Sequence, residues 1–269
     1  MTRPTAEEVA RAVTESPKYR CLSRETVDRI AAWAVARSPS RAGAVKRAKR
    51  KLHEVHGAYL GAWDPRRVEE LLFSPRPSGD AAVRDACREI LSRHASTRER
   101  LPILDSFYRR IFEITGVPRR LLDVGCGLAP FALPWMSLPK DCEYVATEID
   151  ARIVSLVNRL FETESQKGAA HCRDVLAAIP DGEFDVVLLL KMLPTLERQQ
   201  KGCAGPLLRA LDARFVVVSF PVLSLGGRKK GMPHHYRKMM DRALDLSPRP
   251  AVPVELEGEL LFVVDKNSP

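Results

Sequence analysis

What the chain lacks narrows its class first. No stretch approaches the roughly 20 apolar residues that a membrane-crossing helix needs, and the opening MTRPTAEEVARAV carries acids where a secretory leader would have its apolar segment. Both observations point to the cytoplasm. The cysteines Cys21, Cys87, Cys126, Cys142, Cys172 and Cys203 include no C-x-x-C pair, so neither a zinc site nor a disulfide framework is signalled and reduced thiols are expected. Paired catalytic carboxylates, a nucleophile elbow and a metal-ligand cluster are also missing from the pattern.

What is present is a sizeable potential core and an uneven charge. The chain has 269 residues, 45% of them hydrophobic, enough for one large domain or two smaller ones. Residues 1–120 hold 25 Lys and Arg against 15 Asp and Glu, a net of +10, whereas residues 121–269 hold 18 against 19, a net of −1. That asymmetry suits a polyanion-binding unit joined to a near-neutral catalytic or ligand-binding module.

The hydrophobic rhythm divides the chain in the same way. From residue 5 to about 113 apolar residues recur at helical spacing, with breakers at RSPS, WDP and SPRPSGD. In AVKRAKRKLHEVHGAYL, Val45, Ala48, Leu52, Val55 and Tyr59 form one stripe, and Lys46, Arg47, Lys49, Arg50 and Lys51 cover much of the rest. Such a cationic face would lie well along a phosphate backbone. After residue 119 short apolar runs (RLLDV, EYVAT, AAHC, FDVVLLL, RFVVVSF) alternate with helical stretches, which predicts parallel strands buried on both faces. The expected fold is an α/β, Rossmann-like doubly wound sheet with an N-terminal all-helical domain, divided as 1–95 and 96–269. VPVELEGELLFVVD reads as a terminal hairpin at the sheet edge.

The turn after the first strand, DVGCG, supplies Asp123, Gly125 and Gly127. Pro130 stands where a dinucleotide fingerprint would want its third glycine, which weakens a pyrophosphate site. An aspartate ahead of the glycines would repel a pyrophosphate but suits a ligand with an amino group. Glu148, at the end of the second strand in TEID, can accept both hydroxyls of a ribose, and Asp150 lies two residues on. Asp174, after the next strand, can receive an adenine amine. Three acids at successive strand ends fit S-adenosylmethionine better than a dinucleotide; the plainer alternative is that each caps a helix.

The ordered segments VKRAKRKLHEVHGAYL, HASTRERLP, GCGLAPFALPWM, LLLKMLPTLERQQKG and SFPVLSLGGRKKGM carry the chain further. Over nearly its whole length it resembles the aminoglycoside-resistance 16S ribosomal RNA guanine-N7 methyltransferases, a class I S-adenosylmethionine-dependent group. The resemblance implies methyl transfer to N7 of a guanine in the decoding A-site of the assembled 30S subunit, blocking kanamycin- and gentamicin-type drugs, with S-adenosylhomocysteine as product. It implies that Arg100 rather than Arg98 pairs bidentately with the methionine carboxylate, and that Asp123, Glu148 and Asp174 serve the amino end, ribose and adenine. It sets His53, Lys191, Arg198 and Met232 near the target base or its phosphate. In SLGGRKKGM, glycines on both sides of Arg228, Lys229 and Lys230 predict a basic loop over the site, while Leu223 stands where some relatives carry a basic residue. Trp135 and Phe131 are expected in the core.

Guanine N7 presents a lone pair, so its methylation removes no proton and needs no general base; catalysis reduces to in-line orientation of a flipped-out base. Three other readings are compatible with parts of the pattern: adenine-N1 methylation in the same A-site, a nicotinamide-dependent oxidoreductase, and a non-catalytic small-subunit binding factor. A monomer is expected, since docking on a ribosomal surface needs no second copy.

Overall fold

The computed structural model describes residues 4–57, 64–73, 79–222, 232–245 and 247–268. Among them the first third is entirely helical. Helices α1 (Ala6–Thr14), α2 (Arg24–Val35) and α3 (Arg41–Leu52) pack around Val9, Val13, Ile30, Ala34, Ala48 and Leu52. Their starts follow the sequence: Thr5 and Glu8 form a reciprocal capping box on α1, and Ser23 and Ser40 accept the backbone N–H three residues on. On α3 it is Ala44, with Ala48 and Leu52, that is buried, whereas Val45 is half-buried; Tyr59 lies outside the described residues. The helix then widens into a π turn, His53–Gly57, a feature often found at functional sites.

Helices α4 (Pro65–Phe73), α5 (Asp80–Ser92), α6 (Ala95–Arg98) and α7 (Leu104–Thr115) lead to the sheet. Its strands are β1 (Arg120–Val124), β2 (Glu143–Glu148), β3 (Gly168–Cys172), β4 (Phe184–Leu190), β5 (Ala213–Pro221), β6 (Ala251–Leu256) and β7 (Glu259–Asp265). They lie in the order β3-β2-β1-β4-β5-β7-β6. The first five run parallel, and β7 inserts antiparallel between β5 and β6. The expected terminal hairpin therefore contributes an inner strand as well as an edge.

Between strands run α8 (Leu133–Met136), α9 (Ala151–Thr163), α10 (Leu193–Gln199), α11 (Ala204–Ala210) and α12 (Met232–Leu244). Alternation along the strands assigns their faces. Leu121, Val186 and Leu188 meet α5, α7 and α9, whereas Leu122, Val187 and Leu189 meet α10, α11 and α12. Both faces are buried, which is why the strands read as continuous apolar runs. Phe131 and Trp135 belong to the first of these cores.

The α1–α3 unit is joined to the sheet far from any linker. Ser23 N–H donates to Ile149 O at 2.7 Å, Ala151 N–H donates to Cys21 O at 2.9 Å, and Leu22 forms a bridge with Asp150. This backbone clamp grips the turn between β2 and α9.

Candidate functional site

A cleft opens beyond the carboxyl ends of the parallel strands, where doubly wound sheets bind ligands. One wall is the glycine turn after β1 together with Glu148, Asp174 and Lys191; the other is built from Thr26 and Arg29 of α2 and from His56.

Gly125 and Gly127 hold φ of +63° and +51°, the region glycine occupies at low cost. A Cβ at Gly125 would meet the end of the Met192 side chain, whose Cε would lie 2.3 Å away; that flexible chain could move aside, so it is the positive φ that calls for glycine here. The chain continues into a short 3₁₀ turn, Ala129–Ala132, with Pro130 among its first residues. A regular helix start does not face the glycines, in agreement with the argument against a pyrophosphate.

Glu148 aims its carboxylate back at the glycine turn. Oε2 accepts Gly127 N–H at 3.0 Å, and Oε1 accepts Ile149 N–H at 2.7 Å and Asp150 N–H at 3.2 Å. Burial still raises its pKa against the opposing effects of His56 and those hydrogen bonds. Asp150 plays a different part. It caps α9 through Arg152 N–H at 2.9 Å, is paired with the Arg152 side chain, and stands 3.1 Å from His56 Nε2. It does not line the cleft, so for this acid the capping alternative holds.

Asp174 is held by the N-terminal helices. Its Oδ2 accepts Thr26 Oγ1 at 2.9 Å and the Arg29 guanidinium at 2.6 and 3.0 Å, while Oδ1 accepts Leu176 N–H at 3.0 Å. Arg29 also reaches Gln199 Oε1 at 2.7 Å. Oδ1 keeps one acceptor position for an incoming N–H.

Asp123 lies behind the turn, facing α7. It is 1% exposed; Oδ2 accepts Tyr144 O–H at 3.0 Å, and Oδ1 has no protein partner. Burial pushes its pKa up to about 7, opposed by the Tyr144 hydrogen bond and the Arg100 charge. Asp123 does not line the cleft either, but unlike Asp150 it keeps an orphaned oxygen behind the glycine turn, the acceptor that an ammonium group reaching it would complete.

Because the folded chain resists ionising Asp123, the stability this group contributes is whole below its ordinary pKa of 3.8 and is lost as pH rises through about 7. In melts of the ligand-free protein at pH 5, 6, 7 and 8, Asp123→Asn is therefore expected to gain on the wild type as pH rises. Parallel curves would show that Asp123 is ionised throughout.

Of the two arginines in STRER, Arg98 is exposed and Arg100 is 3% exposed. Arg100 lines the cleft and lies over the Phe107 ring at 4.2 Å. Its side-on edge is already paired with Glu259, through Nε to Oε2 at 3.1 Å and Nη2 to Oε1 at 2.7 Å. The bidentate pairing expected with a ligand is thus confined to the end-on edge. Burial raises the Glu259 pKa, but Arg100 and Lys191 outweigh it and leave the group below its ordinary value.

Lys191 is the residue after β4, at φ +59°, a backbone state unusual for a residue with a side chain and concentrated at functional sites. Its Nζ donates to Ser96 O at 2.9 Å and Glu99 Oε2 at 2.8 Å. It is a fixed, buried cation, not a solvated lysine.

The other expected positions divide. Arg198, on α10 beside the cleft, donates to Thr195 Oγ1 at 3.1 Å. His53 is exposed and outside the cleft, with Nδ1 3.0 Å from Lys18 Nζ, whereas His56 lines the cleft. The resemblance set His53 near the target base or its phosphate; in the fold it opens the π turn on an exposed face. Of the cationic run on α3, Lys46 and Arg50 are exposed, Arg47 donates to Ser38 Oγ, Lys49 is half-buried, and Lys51 donates to Arg198 O. Lys51 thus joins the helical unit to α10 instead of facing solvent. Met232 opens α12, with its side chain outside the described residues, as are Leu223, Arg228, Lys229 and Lys230.

Sequence reasoning missed Thr26, Arg29, His56, His94, Met192 and Gln199. Burial drives the His94 pKa down to about 4, helped by His56, Lys191 and Arg100, so it is neutral at physiological pH. Its Nδ1 lies 2.8 Å from Ser96 Oγ.

Comparisons with known proteins agree with this geometry. The model of the ribosomal RNA methyltransferase (FmrO) family matches residues 15–263. A 16S rRNA (guanine(1405)-N(7))-methyltransferase of Micromonospora echinospora is 40% identical over 97% of this chain and 96% of its own. One of the same name from Proteus mirabilis is 30% identical over 97% of each. The crystal structure of the 16S rRNA methyltransferase RmtF in complex with S-adenosyl-L-homocysteine superposes with a TM-score of 0.85 at 32% identity, covering 98% of this chain and 99% of that one. For the 16S rRNA methylase RmtB the TM-score is 0.79 at 28% identity, with 98% and 99% covered. With the β3-β2-β1-β4-β5-β7-β6 sheet, the glycine turn and its ring of acids, the chain belongs to the FmrO family of ribosomal RNA methyltransferases.

Proposed function

We propose that this protein transfers a methyl group from S-adenosylmethionine to N7 of the guanine corresponding to position 1405 of 16S rRNA, in the decoding A-site of the 30S subunit, and so confers resistance to kanamycin- and gentamicin-type aminoglycosides. The observation that carries the reading is the set of acceptors around one bare glycine turn: the orphaned Asp123 Oδ1, the Glu148 carboxylate and Asp174, with Arg100 beside them.

These residues fit the donor end to end. Arg100 would take the methionine carboxylate and Asp123 its ammonium, Glu148 the ribose hydroxyls, and Asp174 the adenine amine. When bound, S-adenosylmethionine supplies a sulfonium methyl that is already electrophilic. The chain's own task is orientation: Lys191 and Arg198 hold the guanine so that its N7 lone pair lies in line with that methyl. No side chain need take a proton, and His94, which lines the cleft, is made a weak base by its burial.

Residues 1–95 serve in this reading as the RNA-docking unit and residues 96–269 as the catalytic one. Lys46, Arg47, Lys49 and Arg50 of α3, with Met232 and the Arg228–Lys230 segment, approach rRNA phosphates, and the protein acts as a monomer. Incubation with tritiated S-adenosylmethionine and purified 30S subunits should label 16S rRNA, and borohydride and aniline should cleave it at that A-site guanine. Label on an A-site adenine, or free 16S rRNA matching 30S as substrate, would contradict the assignment.

A further inference from the structure

Arg100 and Lys191 face the cleft from segments far apart in sequence, one ahead of the sheet and one at the end of β4. Both stand beside one carboxylate that is not itself a cleft-lining group, that of Glu259: Arg100 is bonded to it, and Lys191, whose Nζ donates to Ser96 O and Glu99 Oε2, lies 3.5 Å away. This residue opens β7 and is 1% exposed. Its backbone is fixed on two sides, by pairing with Pro221 of β5 and Leu256 of β6. Its carboxylate accepts the side-on edge of Arg100 at 2.7 and 3.1 Å, lies 3.5 Å from Lys191 Nζ, and accepts the Ser219 hydroxyl. Ser219 in turn accepts the Lys191 backbone N–H through its own carbonyl at 3.0 Å and its Oγ at 3.1 Å.

Guanidinium has five N–H donors in a rigid fork. Glu259 uses Nε and one proton of Nη2, which leaves Nη1 and the second Nη2 proton as an end-on edge for a carboxylate in the cleft. The Phe107 ring at 4.2 Å fixes the plane of that fork. A buried ion pair is a weak stabiliser in its own right, since desolvation offsets most of its attraction and an apolar pair would serve as well. Three segments converging on one carboxylate are accounted for by orientation.

We propose that Glu259 is a positioning residue of the methyl-transfer site: its carboxylate aims Arg100 at the methionine carboxylate, and its charge stands beside Lys191, whose Nζ is held by Ser96 and Glu99. The inference rests on the methyltransferase reading above. It assigns a function in the reaction to the C-terminal hairpin, which otherwise only completes the sheet.

The test separates aim from folding by using two ligands that differ in the amino-acid end alone. Calorimetry on the full chain with S-adenosylhomocysteine and with 5′-methylthioadenosine, which lacks the carboxylate and ammonium, is run on wild type and Glu259→Gln. The variant is expected to bind S-adenosylhomocysteine at least tenfold more weakly and 5′-methylthioadenosine within twofold of wild type. Its methylation of 30S at saturating S-adenosylmethionine should fall at least tenfold, with the KM for 30S little changed.

Equal weakening toward both ligands, or wild-type affinity for both, would overturn the proposal. If Glu259→Gln fails to fold, Glu259→Asp keeps the charge on a shorter arm and should show the same selective loss, about three- to tenfold; unselective or absent loss there overturns it too. Failure of the wild type itself to bind S-adenosylhomocysteine would instead refute the methyltransferase reading.

Discussion

Arg100→Met is expected to weaken S-adenosylhomocysteine binding by about 100-fold or more, as measured by calorimetry, because it removes a charge-assisted, pre-oriented fork from a buried site. The same change strands Glu259, 1% exposed, with only Lys191 and Ser219 for company. Removing one partner of a buried pair costs about 3–5 kcal/mol, and the remaining partners argue for the lower end, a melting midpoint lower by roughly 6–10 °C in a chain of this size. Adding Glu259→Leu should recover most of that stability and none of the binding. Recovery of binding in the double variant, or an unchanged affinity in the single one, would remove Arg100 from the cofactor site.

Lys191→Met should divide the two halves of the reaction in the opposite sense. Methyl incorporation into 30S at saturating donor is expected to fall about 100-fold, the scale of a misplaced reacting group, while the dissociation constant for S-adenosylhomocysteine stays within about threefold, as Arg100 keeps both of its bonds to Glu259. Stability should change little: Glu99 can turn to solvent, since its side chain is already 29% exposed. A parallel loss of S-adenosylhomocysteine affinity would place Lys191 on the donor side of the cleft instead of beside the base.

The range of each interaction decides which parts of this site are legible in the sequence. FDVVLLL and RFVVVSF announce strands because a strand covered on both faces is apolar along its central residues. Asp123, Gly125, Gly127 and Glu148 are legible because a turn and its neighbouring strand end are local, and the parallel β1–β2 pairing sets Glu148 beside Gly127. Arg29 is not legible, because on α2 it is one of many helical arginines until the fold brings it to Asp174, 145 residues away. Glu259 reads as an ordinary residue of a hairpin; its partner Arg100 is 159 positions distant. His56 is not legible either, because a π turn has no residue-type signature and only the fold brings that side chain to the cleft and to Asp150.

The backbone clamp from Cys21, Leu22 and Ser23 to the turn at Ile149, Asp150 and Ala151 has a consequence for recombining such proteins. That turn begins one residue after Glu148, and the clamped unit also supplies Thr26 and Arg29 to Asp174. The helical unit is therefore not an exchangeable cartridge on a linker. A chimera with the N-terminal residues of another family member would import a foreign wall for the donor pocket, and would need matching residues at 147–151 and 174 to be transplanted with it.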